Sequence, residues 1–197
     1  MSTMFRKQEL YGGNITTVIP EGFIDVSTLR EVPDTQEVFV NSRKPAESFD
    51  DGLGLNESII IDLLQRVDES DDRKALDIHL SEVSSLNGSN SWHVIRYKLK
   101  GNVQRCAVVD SVLKWGKKDC RDTVVVFVGL IRLQHVETDV LITVNCPVED
   151  EEERLQLQRA IENADVSCAI PSRLDACYRL LDEMVAQFNV VDESLFV

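Results

Sequence analysis

Residues Thr123 to Leu133 read TVVVFVGLIRL, with apolar side chains at successive rather than alternate positions. A strand with one face in water alternates polar and apolar residues, so a run apolar on both faces belongs inside a sheet that is covered on both sides. The rest of the chain must supply that cover. No Gly-, Ser- or Pro-rich linker divides the 197 residues, so 1–197 is expected to form a single domain.

The flanking sequence supplies further strands. Trp92 to Tyr97 and Val103 to Leu113 precede the central run, and Asp139 to Cys146 follows it after a hairpin-sized gap, with Pro147 as its stop. Residues 1–8 lack periodicity and are expected to be a flexible end. Leu10–Tyr11 and Ile15–Ile19 read as short strands around Gly12-Gly13, closed by Pro20-Glu21-Gly22. Asp25 or Ser27 can cap a single turn that Pro33 ends. Gln36 to Ser42 then resumes strand alternation, with Val38 and Val40 on one face and Glu37 and Phe39 on the other.

Helices account for much of the remainder. Asn56 reads as the N-cap of a helix from Glu57 to about Val67, packed deeply through Ile59, Ile60, Ile61, Leu63 and Leu64. After the acidic cluster at Asp68 to Asp72, a second helix is expected from Arg73 to Leu86, closed by Asn87-Gly88 and burying Leu76, Leu80 and Val83. The acidic run from Glu149 opens a polar insertion that lasts to Ala169. Beyond Pro171, Ser172 and Asp175 resemble a capping box, and Leu174, Cys177, Tyr178, Leu181, Met184, Val185 and Phe188 recur at helical spacing as a core stripe. The expected fold class is α/β (α+β), a twisted, mainly antiparallel sheet flanked by helices on both faces.

Charge narrows the choice of partners. With 34 acidic residues against 21 basic ones the net charge is −13. That field repels phosphate backbones and anionic lipid and draws in basic protein surfaces, so neither nucleic acid nor membrane is an expected partner. Trp92, Tyr97 and Trp115 beside Arg96, Lys98, Lys114, Lys117 and Lys118 form a basic and aromatic pattern, which the net charge opposes. The five cysteines are an odd number without a C-x-x-C pair, and no signal peptide or long apolar span is seen, so a reducing compartment is expected and most of the thiols read as small core residues. Phosphate-loop, dinucleotide, zinc-protease and nucleophile-elbow motifs are missing, and His79, His93 and His135 do not stand at ligand spacing. No catalytic residue, metal or cofactor is therefore expected, and the chain reads as a monomeric binding protein rather than an enzyme.

Asp34 and Glu37 flank a turn where neither a helix face nor a core asks for an acid. Two readings stay open. Either Asp34 makes a turn hydrogen bond and Glu37 is a solvated strand residue, or both project from one edge toward a basic partner. In the second case Glu57 and Asp62, on the neighbouring helix, extend the patch.

Several blocks resemble a known family. They are LYGG at 10–13, ITTVIPEGFIDVSTLREVPDTQEVFVNSR at 15–43, NESIIIDLL at 56–64, WGK at 115–117, IRL at 131–133, TDV at 138–140 and FNVVDESLF at 188–196. In length, spacing and order they resemble the Mog-type Ran guanine-nucleotide release factors of nuclear transport, most closely the fungal members. The resemblance implies a fold shared with PsbP-like proteins, binding to the small GTPase Ran, release of its guanine nucleotide, support of nuclear protein import, and residence in nucleus and cytoplasm. The family's VPD-x-x-E motif contributes to the Ran-binding surface, which implies Asp34 and Glu37 here, with Pro33 and Arg30 in the same partner-binding set. The alternative is a Ran-binding adaptor or trafficking chaperone without release activity. Two departures are Asn14 after YGG and the long insertion from Glu149 to Ala169, onto which no family contacts carry over.

Overall fold

In the computed structural model, which describes residues 5–86, 88–89, 92–113, 121–162 and 170–196, both layers of the molecule meet on the apolar run. The strands are β1 (Phe5–Leu10), β2 (Ile15–Pro20), β3 (Phe23–Asp25), β4 (Gln36–Asn41), β5 (Ser58–Gln65), β6 (Trp92–Lys100), β7 (Val103–Leu113), β8 (Arg121–Leu133), β9 (Thr138–Val148) and β10 (Asn189–Val190). The helices are α1 (Asp72–Leu86), α2 (Glu151–Glu162) and α3 (Ser172–Ala186). Seven strands form one antiparallel sheet in the order β3-β4-β5-β9-β8-β7-β6, and β1, β2 and β10 form a smaller one.

Strand β8 lies inside the large sheet, paired along its whole length with β7 and β9. Its even-numbered residues Val124, Val126, Val128 and Leu130 pack with Leu76 and Leu80 of α1. Its odd-numbered residues Val125, Phe127 and Ile131 face the other core, built with Leu157 of α2, Leu174, Cys177, Leu181 and Met184 of α3, and Leu10, Ile15 and Ile19 of the small sheet. Helices thus flank both faces, as the uninterrupted apolar run requires. Gly129 stands on the α3 side, where an added Cβ would lie 2.9 Å from Val185 Cγ2 and 3.1 Å from Leu181 Cδ1. The missing side chain is what lets the helix approach.

The expected helix from Glu57 to Val67 is instead strand β5, hydrogen-bonded to β4 on one side and β9 on the other. Three consecutive β-branched isoleucines favour extended backbone, and apolar side chains on the half-buried face as well as on the buried one erase the alternation that would have marked a strand. Residues 5–8, expected to belong to a flexible end, lie in β1, which pairs with β2. Pro147 does not stop β9, which continues to Val148. Pro171, not Ser172, is the N-cap of α3 and makes no side-chain cap bond, while Asp175 pairs with Arg96 at 3.2 Å. The expectations for α1, β6 and β7 hold within a few residues. Cys106, Cys146 and Cys177 are free and buried, as read from sequence. Asn87, the 114–120 segment with Trp115 and its lysines, Cys120 and Cys168 lie outside the described residues.

Candidate functional site

The acidic turn sits where β4 runs on past the end of β3. Asp25 accepts the Ser27 N–H at 2.8 Å, which caps a 3-10 turn over Val26–Thr28, and Val26 is buried against the fold. The chain then crosses Leu29, Arg30, Glu31, Pro33 and Asp34, all exposed. The Gln36 N–H donates to the Pro33 carbonyl at 2.8 Å, so Pro33 opens the tight turn that presents Asp34. Among the described residues, neither Asp34 nor Arg30 has a side-chain hydrogen bond or ion pair.

Glu37 is placed differently. It is half-buried, and its Oε1 accepts the backbone N–H of Tyr11 at 2.6 Å, across 26 residues of sequence. Tyr11 reaches back with its hydroxyl, donating to the Ile61 carbonyl at 2.8 Å and the Thr35 carbonyl at 3.2 Å. Tyr11 has φ +50°, and Gly12 and Gly13 follow at +67° and +94°. A left-handed tyrosine is strained by about 1–2 kcal/mol, and these three hydrogen bonds hold it there. The β1–β2 hairpin is thereby tied to the large sheet at the acidic turn. Gly12-Gly13 was legible as a turn, but nothing in the sequence spacing marked Tyr11 as its clamp.

The two remaining acids stand apart from Glu37, one buried and one on the opposite face of the sheet. Glu57 is 1% exposed. Its carboxylate accepts from Arg173 Nη1 at 2.7 Å, Gly54 N–H at 2.8 Å and Asn41 Nδ2 at 2.9 Å, so it anchors α3 and offers nothing to a partner. Cys146 and Cys177 bring their sulfurs within 4.8 Å of it, but Arg173 and the amides already occupy its oxygens, which leaves a poor cation site. Asp62 lies on β5 opposite Gln36, whose Nε2 donates to it at 2.6 Å. It therefore points to the α1 face of the sheet, whereas Glu37 and Phe39 share the α3 face.

Burial raises the Glu37 carboxyl above its usual range, against the Tyr11 N–H, and nearby Asp25 adds to the rise. Burial likewise raises Asp62, against the Gln36 hydrogen bond and the attraction of His79. Burial, with Glu37 and Asp62, also pushes the Tyr11 hydroxyl upward, so it remains a proton donor throughout the working pH range. A cation brought to Glu37 would relieve its raised carboxyl, and one brought to the opposite face would relieve Asp62. The site can pair with lysine or arginine.

Away from this edge, Arg96 and Tyr97 of β6 are engaged within the fold. The Arg96 guanidinium stacks on Tyr178 at 4.6 Å, and that of Arg73 on Tyr97 at 4.4 Å. No described helix is long and apolar enough to cross a membrane.

Comparison with known proteins gives a consistent picture. A family model described as Ran-interacting Mog1 protein matches residues 8–147. The nuclear import protein MOG1 of Saccharomyces cerevisiae is 48% identical, over 97% of this chain and 84% of its own length. The Ran guanine nucleotide release factor of Homo sapiens is 30% identical, over 72% of this chain and 75% of its own. The crystal structure of the Saccharomyces cerevisiae Ran-binding protein MOG1P matches with a TM-score of 0.87 and 48% identity, covering 98% of each chain.

Proposed function

Because the chain belongs to the Ran-interacting Mog1 family, we propose that it binds a Ran GTPase through the edge centred on Asp34 and Glu37 and promotes release of the bound guanine nucleotide. The supporting observation is Asp34 itself: an exposed carboxylate on a turn braced by Tyr11 and Gln36, without a side-chain partner among the described residues. Glu37 acts as brace and charge together. One of its oxygens holds Tyr11, and the ionised group adds to the field around Asp34. Pro33 shapes the turn, and Arg30 is an exposed cation beside it that orients an approaching surface.

Release by this route needs no covalent step. A protein that binds the empty or loosened GTPase better than the loaded one weakens the nucleotide by linkage, and the nucleotide weakens the protein to the same degree. Carboxylates suit the task by drawing basic residues away from phosphate-holding loops. The protein would act as a monomer in nucleus and cytoplasm, in support of nuclear import, without nucleic acid or membrane.

Ran loaded with a fluorescent nucleotide provides the test. The wild-type chain should accelerate loss of fluorescence, and Asp34→Lys should reduce that acceleration about tenfold or more, since reversal replaces attraction by repulsion at a contact. Asp34 is exposed, so the variant keeps its fold. An Asp34→Lys variant that releases nucleotide at the wild-type rate refutes the site, and binding without acceleration makes the protein an adaptor.

A further inference from the structure

Charged rims speed encounter and set orientation, whereas residence time depends on apolar surface removed from water at the centre of a contact. The sheet offers such surface beside the acidic turn. Helix α1 covers β7, β8 and β9 through Leu76 and Leu80. On the same face Leu64, at the far end of β5, packs against that cluster, but from Ile60 across β4 to β3 no α-helix is packed among the described residues. There the register aligns Ile24 with Val40 and Ser58, then Val38 with Ile60, then Gln36 with Asp62.

The two faces of these strands differ sharply. Phe39, Ile59 and Ile61, on the α3 side, are 0% exposed. On the open side the residues are apolar and β-branched as well; Val38 there is 8% exposed, but Val40 and Ile60 are only half-buried and Ile24 is 39% exposed. Leu29, in the loop between β3 and β4, is 69% exposed. Solvated strand positions ordinarily carry polar side chains. The strip ends at the Gln36–Asp62 row, and the turn carrying Asp34 immediately precedes Gln36 and Glu37.

We infer that Ran is seated over this strip, with Ile24, Leu29, Val40 and Ile60 as the apolar core of the contact and Asp34 and Asp62 as its acidic rim. The inference rests on the reading that Ran binds at Asp34. It requires of the partner an apolar surface flanked by lysine or arginine, and its mark is a division of labour between the two rate constants.

Association and dissociation of nucleotide-free Ran with the full chain are to be followed at two salt concentrations. Ile24→Ser combined with Leu29→Ser should speed dissociation about tenfold or more and leave the association rate and its salt dependence unchanged. Asp34→Lys should slow association and flatten the salt dependence. Unfolding midpoints check the fold. Should Ile24→Ser lower the midpoint, Leu29→Ser alone carries the test, with dissociation about threefold faster. A serine variant that dissociates at the wild-type rate while Asp34→Lys slows association overturns the apolar core and leaves the Asp34 reading intact. An Asp34→Lys variant with both rates unchanged, or a wild-type chain that fails to bind Ran, overturns both. A wild-type dimer that the double serine variant converts to monomer also overturns the inference, assigning the strip to a second copy.

Discussion

Glu37 has a double role, and two substitutions separate its parts. Glu37→Ala removes the acceptor that lies 2.6 Å from the Tyr11 N–H. A half-buried donor left without its partner costs about 1–3 kcal/mol, and Tyr11, at φ +50°, loses one of its three tethers. For a chain of this size each kcal/mol lowers the unfolding midpoint by about 2–4 °C. Glu37→Gln keeps a side-chain carbonyl for that N–H and discards only the charge. The folded-state pKa of Glu37 is raised by burial, so its contribution to stability is fully present below the unfolded value of about 4.3 and is lost as pH rises through the folded one. At neutral pH the glutamine variant should therefore be as stable as wild type or slightly more so. Both variants should bind Ran less well. Thermal unfolding at several pH values, together with Ran titration, gives the comparison. An alanine variant as stable as wild type at pH 7 would show that the Tyr11 contact does not brace the site, and a glutamine variant with full affinity would remove Glu37 from the charge set.

Two further expectations concern the frame behind the site. Gly129→Val should destabilise the fold by about 1–3 kcal/mol in denaturant unfolding, because its side chain must displace Val185 and Leu181 of α3. A neutral result would mean that α3 shifts freely. Asp139 is buried; burial raises its pKa, but the His79 ring at 3.0 Å, the Val67 N–H and Arg132 outweigh that and hold it below the usual range. Its stabilisation is thus present above the unfolded pKa and is lost as pH falls through the folded one. Asp139→Asn should cost about 1–3 kcal/mol at pH 7 by removing the charge that His79, the Val67 N–H and Arg132 share, while Arg132 keeps Asp72 at 2.9 Å, and should flatten the acid limb of unfolding measured from pH 7 to pH 3.

Much of this architecture was legible from pattern. TVVVFVGLIRL demanded cover on both faces and has it, and the stripe from Leu174 to Val185 is the buried face of α3. The error at β5 is instructive. A central strand in a sheet covered on its α3 side and partly on the other shows no clean alternation, and Asn56 with Glu57 imitated a helix start. Glu57 is in truth a buried anion held by Arg173, 116 residues away, a pairing that no local rule can detect. Strand β1 was missed because Arg6, Lys7, Gln8 and Glu9 give no apolar rhythm; tertiary pairing with β2 sets its conformation. At the site itself, the loop position of Asp34 followed from Pro33. The engagement of Glu37 by Tyr11 did not, since it depends on the hairpin folding back over the sheet.

The strand order has a practical corollary. Strands β3 and β4, which carry the acidic turn, and β6 stand at opposite ends of the seven-stranded sheet. Strand spacing of about 4.8 Å puts six intervals, roughly 29 Å, between β3 and β6. A dye on an exposed β6 residue such as Lys98 would thus sit clear of the docking edge while remaining within energy-transfer range of a labelled GTPase. The same separation makes the β6 end the natural point for immobilisation, because a surface tether there leaves the opposite end unobstructed.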